Sequence, residues 1–161
     1  MAVWIDPVFD RTQEDVEFAS QKIAEWIAEN ITGNPLVVYD LKGCLNVSDI
    51  NRIEGNISYH ASELSRLYYP SDTSVKSWTA AGMPNEQDIK RILYNVRSLI
   101  TAYYQQREAP DVPESLIEYN EVNAVEKNLS LIKELLDCMI GSFKKSDTFQ
   151  SGKTMFLPIG R

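Results

Sequence analysis

Apolar residues recur at alternating steps of three and four along four proline-free segments, at about residues 12–31, 48–69, 85–107 and 115–143. A period close to 3.5 is typical of helices that pack side by side at shallow angles. Four such segments predict an all-α fold, a four-helix bundle-like domain. The alternative is two helical hairpins that pack more loosely.

The apolar series also predicts which side chains form the core. The predicted core consists of Val16, Ile23, Ile50, Ile53, Ile57, Leu64, Ile89, Ile92, Val96, Val122, Val125, Leu129, Ile132 and Leu136. Thr12, Ser48 and Asn85 are residue types that cap helix starts, and Pro70 and Pro110 are expected to end helices.

Both ends of the chain lack a helical period. We therefore predict an N-terminal arm at residues 1–11, a helical bundle at 12–146 and an extended C-terminal arm at 147–161. The C-terminal arm is too apolar for a solvated terminus and too interrupted by glycine and proline for a core element. It is expected to lie either on its own bundle or on a neighbouring subunit. Its predicted docking residues are Phe149, Met155, Phe156, Leu157 and Ile159.

A polar phrase is repeated in the second and fourth helical segments. "DINRIEGNISYHASEL" at 49–64 and "EVNAVEKNLSLIKELL" at 121–136 match when shifted by 72 residues. The shift aligns Asn51 with Asn123, Glu54 with Glu126, and Asn56 with Asn128. A shift of 39 residues gives a fainter copy, "DIKRILYNV", in the third segment. These matches suggest the hypothesis of an internal duplication of a helical unit.

The heptad seam accounts for the apolar matches but not for the polar ones. Residues 51, 54 and 58 form a stripe beside the seam residues 50, 53 and 57. Such a stripe is half-buried when helices pack. One hypothesis is an interhelix polar network in which each glutamate accepts from an asparagine of the other copy, and the alternative is that these residues are solvated. The predicted network residues are Asn51, Glu54, Asn56, Asn123, Glu126 and Asn128.

Composition narrows the class of partner. The formal net charge is −7 and the basic residues are scattered, which disfavours nucleic-acid binding. No apolar run is long enough to span a membrane, and the start lacks a signal peptide, so synthesis in the cytoplasm is expected. Cys44 and Cys138 have no neighbours at metal-ligand spacing.

Catalytic chemistry has little support in the sequence. His60 is the one histidine, and no nucleophile motif surrounds it, so we expect a packed or surface residue. Glu54 and Glu126 could form a carboxylate pair. Di-metal sites in helical bundles also need Glu-x-x-His, however, and this sequence contains no such motif. We therefore predict no enzyme, no catalytic residue, no metal and no cofactor.

Four stretches resemble a group of small phage and prophage proteins. They are "FDRTQEDVEFA", "DLKGCLNVSDINRIEGNISYHASEL", "IEYNEVNAVEKNLSLIKELL" and "FQSGKTMFLP". Members of the group, encoded among tail and baseplate genes of phages of Gram-positive bacteria, carry "LKGxLNxxDLNRIExNxxYL" in the centre. This chain departs from that pattern at His60, where an apolar residue is usual, and at Val47, where an aromatic is common.

The resemblance implies a structural role in the virion and carries no catalytic residues. It leads to the expectation of a tail or baseplate adaptor, present in several copies or as a homo-oligomer and bound to other tail proteins. The location expected is the tail region of the particle. The alternative is a cytosolic helical regulator that binds one protein partner, and gene neighbours or the protein content of virions would separate the two.

Overall fold

The computed structural model describes residues 3–30, 41–80, 82, 84–104 and 106–146, and within these ranges the secondary structure is helical without a strand. The helices are α1 (Gln13–Asn30), α2 (Val47–Arg66), α3 (Glu86–Ala102) and α4 (Tyr119–Ser146). The predicted all-α fold with four helices is confirmed. None of the described helices is both long enough and apolar enough to cross a membrane.

Each of the helices α2, α3 and α4 packs against the other two, and all three run in the same direction. Near their starts, Arg91 of α3 reaches Glu54 of α2. Near their ends, the rings of Tyr69 and Tyr103 lie 5.3 Å apart, and the Tyr103 hydroxyl lies 3.3 Å from the sulfur of Met139. Because the helices are parallel, each connection must return along the length of the bundle.

The core follows the predicted seam. Its fully buried members include Ile57, Val96 and Leu129, each with 0% exposure. Ile89 and Val16 are half-buried. Ile23 of α1 is 41% exposed, so its assignment to the core is wrong. The physical reason is that α1 lies outside the packing of the other three described helices, and its apolar face has less to cover it.

Helix α1 is fixed to the domain at its N-terminal end. Ala19 is buried at 1% exposure. A Cβ atom on Gly43 would lie 2.0 Å from the carbonyl oxygen of Asp15, so this backbone approach requires glycine. Lys42 adds an ion pair to Asp15 at 3.4 Å.

The three bundle helices start with the same device, in which the carboxylate at the third helical position accepts from a backbone N–H at the cap. Asp49 accepts from the N–H of Asn46 at 3.0 Å, and Asp88 accepts from that of Asn85 at 3.2 Å. Glu121 accepts from the N–H of Glu118 at 2.9 Å. These residues are related by the shifts of 39 and 72. The N-cap of α2 is therefore Asn46 rather than the predicted Ser48, because Asp49 closes a capping box with it.

Candidate functional site

The repeated asparagines hold extended segments of the same chain. Asn56 on α2 accepts from the N–H of Ile5 at 3.0 Å and donates to its carbonyl at 2.8 Å. Asn95 on α3 accepts from the N–H of Ser74 at 3.1 Å and donates to its carbonyl at 2.6 Å. A carboxamide can satisfy both backbone groups of one residue because it carries a donor and an acceptor side by side.

The third copy of this position is Asn128 on α4. Its amide donates to the carbonyl of Pro110 at 2.8 Å and to that of Ala124 at 2.9 Å. Proline has no N–H to give, so this clasp has one bond to the extended segment instead of two. Asn56, Asn95 and Asn128 are thus three equivalent residues that perform one task, and all three are buried.

A second asparagine of the repeated phrase, Asn51 in α2 and Asn123 in α4, binds the backbone near the other end of an extended segment. Asn51 accepts from the N–H of Trp78 at 2.8 Å and donates to its carbonyl at 3.0 Å. Asn123 accepts from the N–H of Arg11 at 3.2 Å and donates to its carbonyl at 2.9 Å. The α3 copy of this position is Lys90, which instead pairs with Glu86 on the surface.

These clasps place an extended segment in each groove between neighbouring helices. Residues 3–11 lie between α2 and α4, and residues 74–78 lie between α2 and α3. Residues 110–113 lie between α3 and α4, where Arg97 donates to the carbonyl of Pro113 at 2.8 Å. The repeating unit is therefore an extended segment followed by a helix, and α1 is inserted into the first unit.

Glu126 is the centre of a buried ionic cluster. It is 0% exposed and accepts from Arg52 of α2 through two bonds, Nε to Oε2 at 3.0 Å and Nη2 to Oε1 at 2.6 Å. It also accepts from the N–H of Val8 at 2.6 Å and from Arg11 at 3.2 Å. Asp49 accepts from both guanidiniums, including a bond from Arg11 at 2.8 Å, and Arg11 also donates to the carbonyl of Val8 and to Asn123.

Electrostatics favour the charged form of Arg52 and of Arg91. Burial acts against the charge of Arg52, but its bonds to Glu126 and then to Asp49 outweigh burial and raise its pKa. Glu54 forms the corresponding cluster between α2 and α3, where it accepts from Arg91 and from the indole N–H of Trp78 at 3.1 Å. The bond from Glu54 raises the pKa of Arg91, despite the opposing effect of burial.

The predicted glutamate–asparagine pairing is not what the structure contains. All six predicted network residues take part either in the asparagine clasps or in the ionic clusters. Four of them are buried, namely Glu54, Glu126, Asn56 and Asn128. The glutamates pair with arginines of neighbouring helices, however, and the asparagines bind backbone groups of the extended segments. A glutamate at this depth needs a positive partner, which an amide does not supply.

The third copy of the ionic link is absent because its residues are apolar. The α3 position equivalent to Glu54 is Leu93, which is 1% exposed. The α4 position equivalent to Arg52 is Ala124, which is partly buried. The repeat therefore has the clasp of Asn56 in three copies, whereas the clasp of Asn51 and the arginine–glutamate link each occur in two.

His60 is a packed residue, which is one of the two environments expected for it, packed or at the surface. It is 0% exposed, its Nε2 lies 2.9 Å from the carbonyl of Leu129, and its ring lies 5.1 Å from that of Trp4. The carbonyl can only accept, so Nε2 carries the proton, and Nδ1 has no hydrogen-bond partner among the described residues. Burial lowers the pKa of His60 to about 4. The equivalent residues, Leu99 and Ile132, are buried too.

The clasps and ionic clusters also contain four residues that are not among those predicted from the sequence. The positive charges of the ionic clusters come from Arg11, Arg52 and Arg91, and the indole N–H donor is that of Trp78. The shift of 39 residues does align Arg52 with Arg91, and this was the available signal. Arg11 has no such signal, because it lies outside every helix.

The described residues include no group of three or more histidine, cysteine, aspartate or glutamate side chains placed to hold a metal ion. The predicted docking residues of the C-terminal arm, from Phe149 to Ile159, lie outside the described residues. Comparison of the chain with protein-family models, with curated proteins and with solved structures finds no match in any of the three.

Proposed function

We propose that this chain is a non-enzymatic structural protein of a phage particle, a tail or baseplate adaptor that assembles through its terminal arm and the surface of its bundle. The observation that carries the proposal is the filling of all three interhelix grooves by extended segments of the chain itself. The bundle is thus built by docking extended segments, and the described segments already fill the three grooves among α2, α3 and α4. The same chain has a further apolar segment, residues 147–161.

The resemblance to tail-region proteins supports the virion part of this proposal. Its central motif spans Leu41 to His60 and contains Asn51, Arg52, Glu54 and Asn56. In this structure those four residues bind the chain's own segments and helices. Their hydrogen bonds serve to build a rigid body, which suits a component that must hold its place in an assembly.

Mass spectrometry of purified virions tests the proposal directly. We expect the protein in particles or tails at a fixed ratio to a known tail protein. Deletion of residues 147–161 is expected to leave the helical circular dichroism signal nearly unchanged and to abolish incorporation. Normal incorporation of the truncated chain would remove the docking role of the arm, and absence of the full-length chain from virions would overturn the structural role.

The second candidate is a cytosolic helical regulator that binds one protein partner. Two exposed apolar residues one turn apart on α1 favour a binding surface, with Ile23 at 41% and Ile27 at 54% exposure. Affinity capture from infected cells separates the candidates, since a regulator is recovered with a non-virion protein and is missing from particles.

A further inference from the structure

The outer face of α2 forms the floor of an open groove of about 570 Å³ between two extended segments of the chain. One rim is the N-terminal segment with Val3 and Ile5, and the other is the segment from Val75 to Trp78. The rims expose apolar side chains, with Val3 at 73% and Val75 at 44% exposure. The volume lies within the range of ligand-binding pockets.

The threefold repeat explains why the floor of this groove on α2 is open. Its floor contains Gly55, and the equivalent residues are Tyr94 on α3 and Lys127 on α4. Tyr94 donates to Asp72 at 3.0 Å, and the Lys127 ammonium lies 4.7 Å from the ring of Phe9. Both side chains therefore reach across to the neighbouring extended segment, whereas a Cβ on Gly55 would have no atom within 4 Å.

One rim also presents backbone that can pair with another strand. The backbone of Ser74 is hydrogen-bonded to the side chain of Asn95, and that of Trp78 to the side chain of Asn51. These bonds fix the segment in an extended form. Between them, the backbone N–H and C=O groups of Val75 and Ser77 have no hydrogen-bond partner among the described residues. A fixed extended edge beside an apolar trough is the arrangement that accepts an added peptide strand.

We infer that this groove binds the C-terminal arm, residues 147–161, of a second copy of the chain. This inference rests on the proposed function and names the surface on which the arm docks. The arm fits by composition, since Met155, Phe156, Leu157 and Ile159 supply apolar side chains for the trough. It also fits by charge. The groove's own charged residues already have partners, because Glu54 pairs with Arg91 and Lys76 pairs with Asp88. An arm with one acid, Asp147, and two bases, Lys153 and Arg161, therefore meets no unpaired charge there.

The position of the arm favours a second copy over its own groove. By the shift of 72, the end of α2 at Arg66 corresponds to Cys138, and α4 continues to Ser146. These eight further residues carry the start of the arm about 12 Å beyond the end of α2, away from the groove. A return to Gly55 of the same molecule would have to run back about 28 Å along the bundle, a distance that fifteen residues can span, over a surface whose interhelix grooves are already filled.

Binding of a labelled synthetic peptide of residues 147–161 tests the inference by fluorescence anisotropy. The titrant is the full-length chain with its own arm disabled by Met155→Ser, Phe156→Ser and Leu157→Ser. We expect saturable binding that Gly55→Trp weakens by at least about tenfold. Gly141→Trp is the matched control, because Gly141 is also a helical glycine whose Cβ would meet no atom within 4 Å. Ser58→Tyr, on the same floor, replaces Gly55→Trp if that variant does not fold.

Equal affinity of the groove variant and the control, or no binding to the arm-disabled chain, would overturn the inference. Sedimentation velocity of the unmodified full-length chain tests the second copy. We expect self-association that Gly55→Trp abolishes, and a chain that stays monomeric well above the peptide's Kd would overturn the assignment to a neighbour in favour of the chain's own arm. These outcomes are independent of virion mass spectrometry, so the groove can fail while the virion role stands, and the reverse.

Discussion

Arg52 on α2 and Glu126 on α4 form a two-bond pair in which Nε and Nη2 of the arginine face the two carboxylate oxygens at 3.0 and 2.6 Å. The glutamate is 0% exposed, and Arg11 of the N-terminal segment shares it at 3.2 Å. One carboxylate therefore ties together two helices and the segment between them. Its removal would leave the two guanidiniums with Asp49 as their one remaining carboxylate among the described residues.

We expect Glu126→Ala to lower the free energy of unfolding by about 3–5 kcal/mol, the usual cost of breaking a buried ion pair from one side. Chemical denaturation followed by circular dichroism measures the change. Glu134→Ala is the control, since Glu134 is an exposed residue of the same helix. A change in Glu126→Ala no larger than in Glu134→Ala would show that water replaces the cluster without cost.

Glu54→Ala is expected to cost less, about 1–3 kcal/mol. Arg91 would lose its carboxylate partner but would keep its bond to the carbonyl of Ser74 at 2.6 Å, and its side chain is already 17% exposed. The comparison with Glu126→Ala in the same denaturation experiment checks the order. A larger loss for Glu54 would contradict the view that the α2–α4 cluster is the more buried of the two.

The asparagine clasps should be separable by hydrogen exchange. We expect Asn56→Ala to raise the exchange rate of the Ile5 amide and to cost about 1–3 kcal/mol, because two backbone groups lose their partner. Asn95→Ala should do the same for Ser74 and leave Ile5 protected. Exchange that rises at both segments in either variant would mean that the clasps act as one cooperative unit rather than segment by segment.

The sequence predicts the helices and most of the core because the 3.5-residue period is a local signal. Ile23 is the exception, since its period resembles the others but α1 has no place in the three-helix packing. The repeat of asparagine and glutamate is likewise visible, but the partners of these residues are not. Asn56 and Asn123 bind backbone groups of Ile5 and Arg11, and a backbone group carries no mark in the sequence. The parallel direction of the helices also depends on long connections whose course no local pattern reveals.

Core truncations test the packing. Ile57→Ala and Leu129→Ala should each cost about 2–5 kcal/mol, since both side chains are 0% exposed. Ile23→Ala, the matched change at a residue that is 41% exposed, should stay within about 0.5 kcal/mol. The midpoint of urea unfolding measures the loss of stability in all three variants, provided that the m-value stays constant. A loss at Ile23 equal to that at Ile57 would show that α1 is covered in solution.

His60 gives the fold a defined dependence on pH. Burial lowers its pKa from 6.5 to about 4 in the folded chain, with Lys133 lowering it further and the carbonyl of Leu129 and Asp137 opposing the shift. The unfolded chain therefore binds a proton more readily than the folded one. Stability from this group is complete above pH 6.5 and declines as the pH falls toward 4, by about 3 kcal/mol in total.

The variant His60→Gln isolates that contribution. Glutamine keeps a donor for the carbonyl of Leu129 and does not titrate, so the stability difference between the wild type and the variant should shift by about 3 kcal/mol between pH 7 and pH 4. Carboxylates that titrate in the same range contribute equally to both proteins and cancel in the difference. We expect the N-terminal segment to loosen first on acidification, because Trp4 lies against the imidazole ring, and tryptophan fluorescence can follow it. A stability difference that is flat from pH 7 to pH 4 would mean that the imidazole reaches water in the folded chain.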